Sequence, residues 1–293
     1  MSPAPPAGIA TDLKAEGAFK NWVRKVVTGA AELRAFEAGE VDAVIDPDTG
    51  GAIFLPAALA SRIAEVALPD ARNRLLAALP ARDYGRLLDG LAPVTLTYGD
   101  ILYEPGERMR HVYFPSNSLV SLLTVVDGHH ALEVGLVGCE GMLGTRLALG
   151  IGASPVRALV QGTGSAMRMT AARFLRELQR SPALRQAVLR FTDSLMTQIT
   201  RTAGCNRFHR IEARLARWLL MTRERLPSNE FHLTQEFLAD MLGVRRVGVT
   251  AAASALRRRK LIHYRRGDIT ILDQKALEAA SCSCYRHVRI VAG

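Results

Sequence analysis

Arg245 and Arg246, followed by Arg257, Arg258, Arg259 and Lys260, are the residues of this chain best equipped to engage another molecule. Adjacent guanidiniums match paired acceptors, either guanine O6 and N7 or two phosphate oxygens. Ala239, Gly243 and Val249, at offsets of four and six, set how those charges are presented. A small residue lets two helices touch, a glycine takes the strained turn between them, and a valine fills the wedge. The stretch LTQEFLADMLGVRRVGVTAAASALRRRKLIHYRRGDITIL, Leu233 to Leu272, therefore reads as helix, tight turn, second helix and two-stranded wing. Arg245 and Arg246 fall in the first turn of the second helix, where side chains reach a DNA major groove. Thr234 is the expected N-cap of the first helix, and Gln235 is placed for a phosphate. Thr250 and Ser254 add hydroxyls to the exposed face, while Val247, Ala251 and Ala252 offer only apolar contact to thymine methyls. Arg265 and Arg266 stand at the wing tip, where flanking backbone would lie.

Two other groupings invite a chemical reading. Cys282, Cys284 and His287 are metal-ligand types, but the Cys-x-Cys gap is one residue short of the usual zinc spacing and no fourth ligand suggests itself. The four cysteines, Cys139, Cys205, Cys282 and Cys284, are therefore read as inert thiols, with no metal and no cofactor. His129, His130 and Glu133, with His111, suggest the ligand strand of a cupin-like metalloenzyme. Adjacent strand residues face opposite ways, and Asp127-Gly128 puts both histidines at a hairpin tip. That reading stays a remote alternative. No catalytic residue is assigned, and the chain is expected not to be an enzyme.

The charge distribution agrees with nucleic acid as partner. The 293 residues carry a net charge of +10, and Arg201 to Thr270 alone hold fifteen Lys/Arg against six Asp/Glu. Nearly the whole excess lies around the helix-turn-helix, the electrostatic footprint of a DNA-binding module. With 48% hydrophobic and 23% charged residues the chain is an ordinary globular one, long enough for more than one core. No run approaches the roughly 20 apolar residues of a membrane span, and the first residues lack a secretory pattern. A cytoplasmic protein with no membrane partner is expected.

These residues need elements to position them. Residues 1–71 read as an accessory extension: two helical stretches, Ala15 to Ala38 and Pro56 to Ala67, flank a hairpin of Val41 to Ile45 and Ala52 to Leu55. Its stretch ELRAFEAGEVDAVIDPDTGGAIFLP is similar to a short segment found ahead of sensor domains in bacterial signalling proteins. Residues 72–170 hold seven short strands: Val94–Thr97, Asp100–Glu104, His111–Phe114, Leu119–Val126, Ala131–Val137, Val156–Gln161 and Ser165–Met169. Gly, Pro and Asn punctuate them, which predicts an antiparallel jelly-roll-like domain. Residues 171–205 turn helical. Leu184, Val188, Phe191, Leu195, Ile199 and Thr202 recur at three and four, nearly a coiled-coil seam. Self-pairing along it would make a homodimer; packing on the chain's own β domain is the other reading. Residues 206–280 are the DNA-binding domain, its first helix burying Ile211, Leu215, Trp218 and Leu219, and 281–293 are a tail. The fold class is α+β.

In this order, β roll, long helix and winged helix-turn-helix, the chain resembles the Crp/Fnr transcription regulators. The resemblance runs from about Asn73 to the end, and is strongest in YGDILYEPGERMRHVYFP (Tyr98 to Pro115), CNRFHRIEARLARWLL (Cys205 to Leu220) and the helix-turn-helix. It implies a dimer on double-stranded DNA, RNA polymerase as a partner, and a β domain that senses a small-molecule or protein effector. Arg246 matches the Arg that contacts guanine edges. Val247 and Ala251 replace the Glu and second Arg of that pattern, so the family's usual operator is not expected. In cyclic-nucleotide binders a Gly-Glu grips the ribose, and an Arg before Ser/Thr-Ala holds the phosphate. Here the matching stretches are Cys139 to Gly144 and Pro155 to Ala158. Glu140 could take the ribose, but Val156 stands at the phosphate position and Arg157 one step on, where its side chain points to the opposite face. A signal other than cyclic AMP is expected. An oxygen-sensing iron–sulfur cluster would need several N-terminal cysteines, and none precedes Cys139. A β domain acting as a ligand-free scaffold under a protein partner is the alternative.

Overall fold

The computed structural model describes residues 43–45, 52–54, 73–124, 131–226, 228–265 and 267–288. The chain divides into two compact units, Met1–Pro69 and Asp70–Gly293. In the first, β1 (Ala43–Ile45) and β2 (Ala52–Phe54) pair antiparallel, Val44 opposite Ile53. This is the expected hairpin. The helices expected on either side of it lie outside the described residues.

The second unit opens with α1 (Arg74–Ala77) and α2 (Ala81–Leu88). Buried Asn73 caps α1 by accepting from the Leu76 amide, while its own amide donates to the Pro115 and Gly141 carbonyls, both at 2.8 Å. One side chain thus both starts a helix and ties it to the β layers. Seven strands follow: β3 (Ala92–Leu96), β4 (Ile101–Tyr103), β5 (His111–Pro115), β6 (Leu119–Thr124), β7 (Leu132–Val137), β8 (Arg157–Gly162) and β9 (Gly164–Thr170). They form two antiparallel sheets, ordered β3-β9-β5 and β4-β8-β6-β7. A single buried cluster joins the sheets, with Leu96, Val112, Phe114 and Met169 from one and Tyr103, Val120, Val137 and Val160 from the other. All seven expected strands are present as antiparallel pairs, the jelly-roll-like layering expected of their spacing.

After β9 come α3 (Ala171–Arg180) and the 27-residue α4 (Pro182–Phe208). Ser181 caps α4 by accepting from the Leu184 amide at 3.0 Å, with Pro182 in the first turn where its missing N–H costs nothing. The apolar stripe of α4 faces inward. Leu184 and Val188 are fully buried in the β-domain core, and Phe191 and Leu195 pack against it. Leu195 and Ile199 lie over Gly135, and Thr202 accepts from Arg217 of the next helix. A Cβ on Gly141 would fall 2.0 Å from the Phe191 ring, so the absence of a side chain there lets the ring seat. Of the stripe assigned to self-pairing, Leu184, Val188 and Thr202 are buried within the protomer, while Phe191, Leu195 and Ile199 are half-buried. Its heptad-like spacing serves a helix lying on its own β layers.

The remainder is α5 (Ile211–Arg225), β10 (Glu230–His232), α6 (Gln235–Leu242), α7 (Arg246–Arg258), β11 (Ile262–Arg265), β12 (Asp268–Ile271), α8 (Gln274–Ala280) and α9 (Cys284–Val288). The expected two-stranded wing has a third strand: β10 pairs with β12, which pairs with β11. No helix among the described residues is long and apolar enough to cross a membrane.

Candidate nucleic-acid interface

α6, its turn and α7 form the predicted helix-turn-helix. Thr234 caps α6, accepting from the Phe237 amide at 3.1 Å. Gly243 ends the helix at φ +59°, a left-handed conformation that glycine adopts without a Cβ penalty. Ala239 and Val249 are buried between the helices, as their sizes and spacing predict. The first helix of the module supplies the floor: Leu215, Trp218 and Leu219 of α5 are buried in the same cluster as Leu238, Val249 and Leu256. Burial of this apolar stripe turns the polar face of α7 outward.

That face holds a cleft of about 370 Å³ lined by Thr234, Gln235, Arg246, Thr250, Ser254 and Arg257, with Tyr264 and Gly267 from the wing. The Thr250 hydroxyl donates to Gln235 Oε1 at 2.8 Å, bridging the two helices beside the Arg246 side chain. Burial holds the Tyr264 phenol above its usual pKa, against the opposing pull of Gln235 and of the Arg246 charge. At neutral pH it is a hydroxyl, able to donate. Five of the eight residues predicted to meet DNA thus border one cleft. Arg257 and Tyr264 join them. The helical offset of Arg257 from Arg246 could have indicated the first, whereas the wing's approach to α7 was not readable.

Of the other three, Arg245 and Arg265 are not among the residues lining the cleft. Arg245 is the exposed N-cap of α7, one residue before the helix rather than inside its first turn. Arg265 is exposed at the end of β11, opposite Asp268 in the ladder. Arg266 lies outside the described residues. Val247 is 77% exposed on α7, and Ala251 is exposed beside it. Ala252 is corrected. It is 5% exposed, packed into the core of the module and turned away from any groove. Within the basic run, Arg259 is held by Glu212 at 2.8 Å, a contact that braces α7 on α5.

The two residues suggested for an effector pocket are both engaged in ion pairs. Glu140 is buried and ion-paired with Arg225 of α5 at 2.8 Å, and it accepts from the Gly138 amide. It ties the β domain to the helix-turn-helix module. Arg157 is paired with Glu104, the residue after strand β4, at 3.0 Å, both side chains about one third exposed. The cupin-like set does not assemble among the described residues. His129 and His130 lie outside them, and Glu133 accepts from Ser121 and from Trp218 Nε1.

Comparison with known proteins agrees with the geometry. Residues 213–280 match the family described as the Crp-like helix-turn-helix domain. No curated protein matches the sequence. Among solved structures, the chain is similar to FixK2 from Bradyrhizobium japonicum, with 13% identity and a TM-score of 0.57 over 66% of this chain and 98% of that one. It is similar to a Crp-family transcriptional regulator from Thermus thermophilus, with 18% identity and a TM-score of 0.55 over 64% and 96%. It is likewise similar to the c-di-GMP-responsive global regulator CLP of Xanthomonas campestris, with 18% identity and a TM-score of 0.54 over 66% and 100%. Residues 213–280 thus match the Crp-like helix-turn-helix family, and the chain shares the β-roll and long-helix fold of solved Crp/Fnr-family regulators.

Proposed function

We propose that the chain is a sequence-specific transcription regulator that binds a pseudo-palindromic operator as a homodimer. One observation carries this: Arg246, Thr250, Ser254 and Arg257 line a single exposed face of α7, next to the Thr234–Gln235 helix start and the wing. A recognition helix needs this arrangement, with base-reading side chains central and backbone-binding groups on both flanks. Arg246 reads a guanine edge, Arg245 and Arg265 hold phosphates, and exposed Val247 meets a thymine methyl. Selection of bound sequences from a random duplex pool tests the reading. A symmetric motif with half-sites about one helical turn apart supports it; failure to retain any duplex, at any salt concentration, removes it. Arg246→Ala should weaken the selected operator by about 1–3 kcal/mol and random DNA by much less. Equal losses on both would make Arg246 a phosphate contact.

The dimer surface moves to the outer face of α4. Leu189 and Met196, seven residues apart, are 39% and 59% exposed, unusual for large apolar side chains on a helix whose other face is packed. Paired copies of this face would bury them and place the two α7 helices about a symmetry axis. Met196→Glu should shift the protein to monomer in sedimentation and lower operator affinity at least tenfold, about 1.4 kcal/mol. A variant that stays dimeric would place the interface elsewhere.

For the signal, the engagement of Glu140 and Arg157 in ion pairs favours an effector other than cyclic AMP, or a protein partner acting on the β domain. RNA polymerase belongs to this reading as the regulator's downstream partner.

A further inference from the structure

The cysteines read from sequence as inert are gathered by the fold. Cys205, three residues before the last residue of α4, and His209, its C-cap, meet Cys282 and Cys284 of the C-terminal segment, with all four ligand atoms within 4.8 Å of one another. The Cys205 and Cys282 sulfurs are 3.5 Å apart, and Cys284 Sγ is 3.6 Å from His209 Nδ1. A tetrahedral zinc ion with Zn–S near 2.3 Å and Zn–N near 2.0–2.1 Å separates its ligands by about 3.8 Å for two sulfurs and about 3.6 Å for sulfur and nitrogen. The 3.5 and 3.6 Å contacts are close to those spacings, and the remaining distances stay within 4.8 Å. Cys205 lies in the last turn of α4 and His209, four residues on, is its C-cap, while Cys282 and Cys284 complete the set from the C-terminal segment.

Electrostatics supplies a second, independent indication. Arg214 and Arg217 of α5 are each only 6% exposed, and no ion pair with a carboxylate forms at either among the described residues, although the Arg217 charge also acts on buried Glu133. Arg214 donates to Asn206 Oδ1 and to the Leu242 carbonyl, leaving its Nε without a partner. Arg217 donates to Thr202, leaving Nε and Nη1 without one. Its charge acts on all three thiols. Two buried cations with so few partners are costly unless an anion lies beside them. Three neutral thiols provide none. Three thiolates around a divalent ion carry a net charge of minus one, positioned where the guanidiniums need it.

We propose that Cys205, His209, Cys282 and Cys284 bind a structural zinc ion that ties the end of α4 to the C-terminal segment. A single ion is favoured over an iron–sulfur cluster, whose cysteines bind different irons and stand further apart. All four coordination positions come from protein, as in sites that stabilise structure rather than activate water. The ion would pin the α4–α5 junction, where the β domain's long helix hands over to the DNA-binding module. His287, the histidine suggested from the tail sequence, is not needed; its side chain lies outside the described residues.

The test uses the full-length protein purified without chelator from zinc-supplemented cells. Elemental analysis should find about one zinc per chain, falling below about a fifth in Cys282→Ser and Cys205→Ser and unchanged in Cys139→Ser. Because a serine variant could lose metal by unfolding, Co²⁺ is exchanged into the unmutated protein as a second readout. Intense tetrahedral ligand-field bands with a thiolate-to-cobalt charge-transfer band support the site. Their absence, together with metal-free protein, overturns it. So does a thiol count in denaturant without reductant that finds two of the four cysteines oxidised, because Cys205 and Cys282 would then form a disulfide.

Discussion

Replacing Arg225 by methionine should destabilise the fold by about 3–5 kcal/mol, the largest single-residue effect expected outside the apolar cores. The side chains of Arg225 and Glu140 are 1% and 3% exposed, with Nε 2.8 Å from Oε1. The guanidinium also donates to the Met221 carbonyl, and the second carboxylate oxygen accepts from the Gly138 amide. Gly138 has no Cβ because one would sit 2.6 Å from Cβ of Arg225. Without the arginine, a carboxylate stays buried with a single backbone donor. Coulomb attraction is not the source of the effect, since a buried pair roughly balances its own desolvation. The damage comes from the orphaned charge. Glu140→Gln combined with Arg225→Met should therefore recover much of the loss, and a double-mutant cycle in urea should show coupling well above the 1 kcal/mol ceiling of exposed pairs. A single-variant loss below that ceiling would mean that water reaches the pair. The pair joins the segment after β7 to α5, so the same variants should alter how firmly the β domain holds the helix-turn-helix module.

That outcome would also show what a local reading of Glu140 leaves out. Its Cys-Glu-Gly setting resembles a ligand loop, and nothing local announces an arginine 85 positions later. What was legible was local or periodic. The seven strands follow from alternation cut by Gly and Pro. The helix-turn-helix follows from Ala239, Gly243 and Val249, whose sizes and offsets admit few other geometries. The α4 stripe marks the difference. A spacing of three and four specifies a buried face but not what covers it, and here the chain's own β layers do. β10, three residues long, is too short to leave a pattern and exists because β12 offers it an edge. Cys205 and Cys282 are 77 positions apart, so only the folded α4–α5 joint brings them together.

Glu133→Gln should remove a pH dependence that the unmutated protein carries between about pH 4.5 and 7. Burial raises the Glu133 carboxyl from 4.5 to about 7, outweighing the hydrogen bonds from Ser121 and Trp218 and the positive charges of Arg217 and Arg225. Ser121 Oγ lies 2.7 Å from Glu133 Oε2, and Trp218 Nε1 donates to Oε1 at 2.8 Å. Below pH 4.5 the folded and unfolded chains both hold the proton, and the group adds no pH dependence. Between 4.5 and 7 the folded chain keeps a proton that the unfolded chain releases, so stability falls as pH rises. Above 7 the loss is complete, about 3 kcal/mol for a shift of this size. A glutamine keeps an oxygen for Trp218 and a polar group for Ser121 while never ionising. The variant should match the unmutated protein near pH 4.5 and exceed it by up to about 3 kcal/mol at pH 8, measured by urea unfolding at both values. An equal difference at the two pH values would mean that Glu133 titrates normally in the fold. Glu133 lies on β7 and Trp218 on α5, so the proton in question sits at the joint between the β domain and the helix-turn-helix module. The variant should hold that joint at pH 8 as firmly as the unmutated chain does in acid.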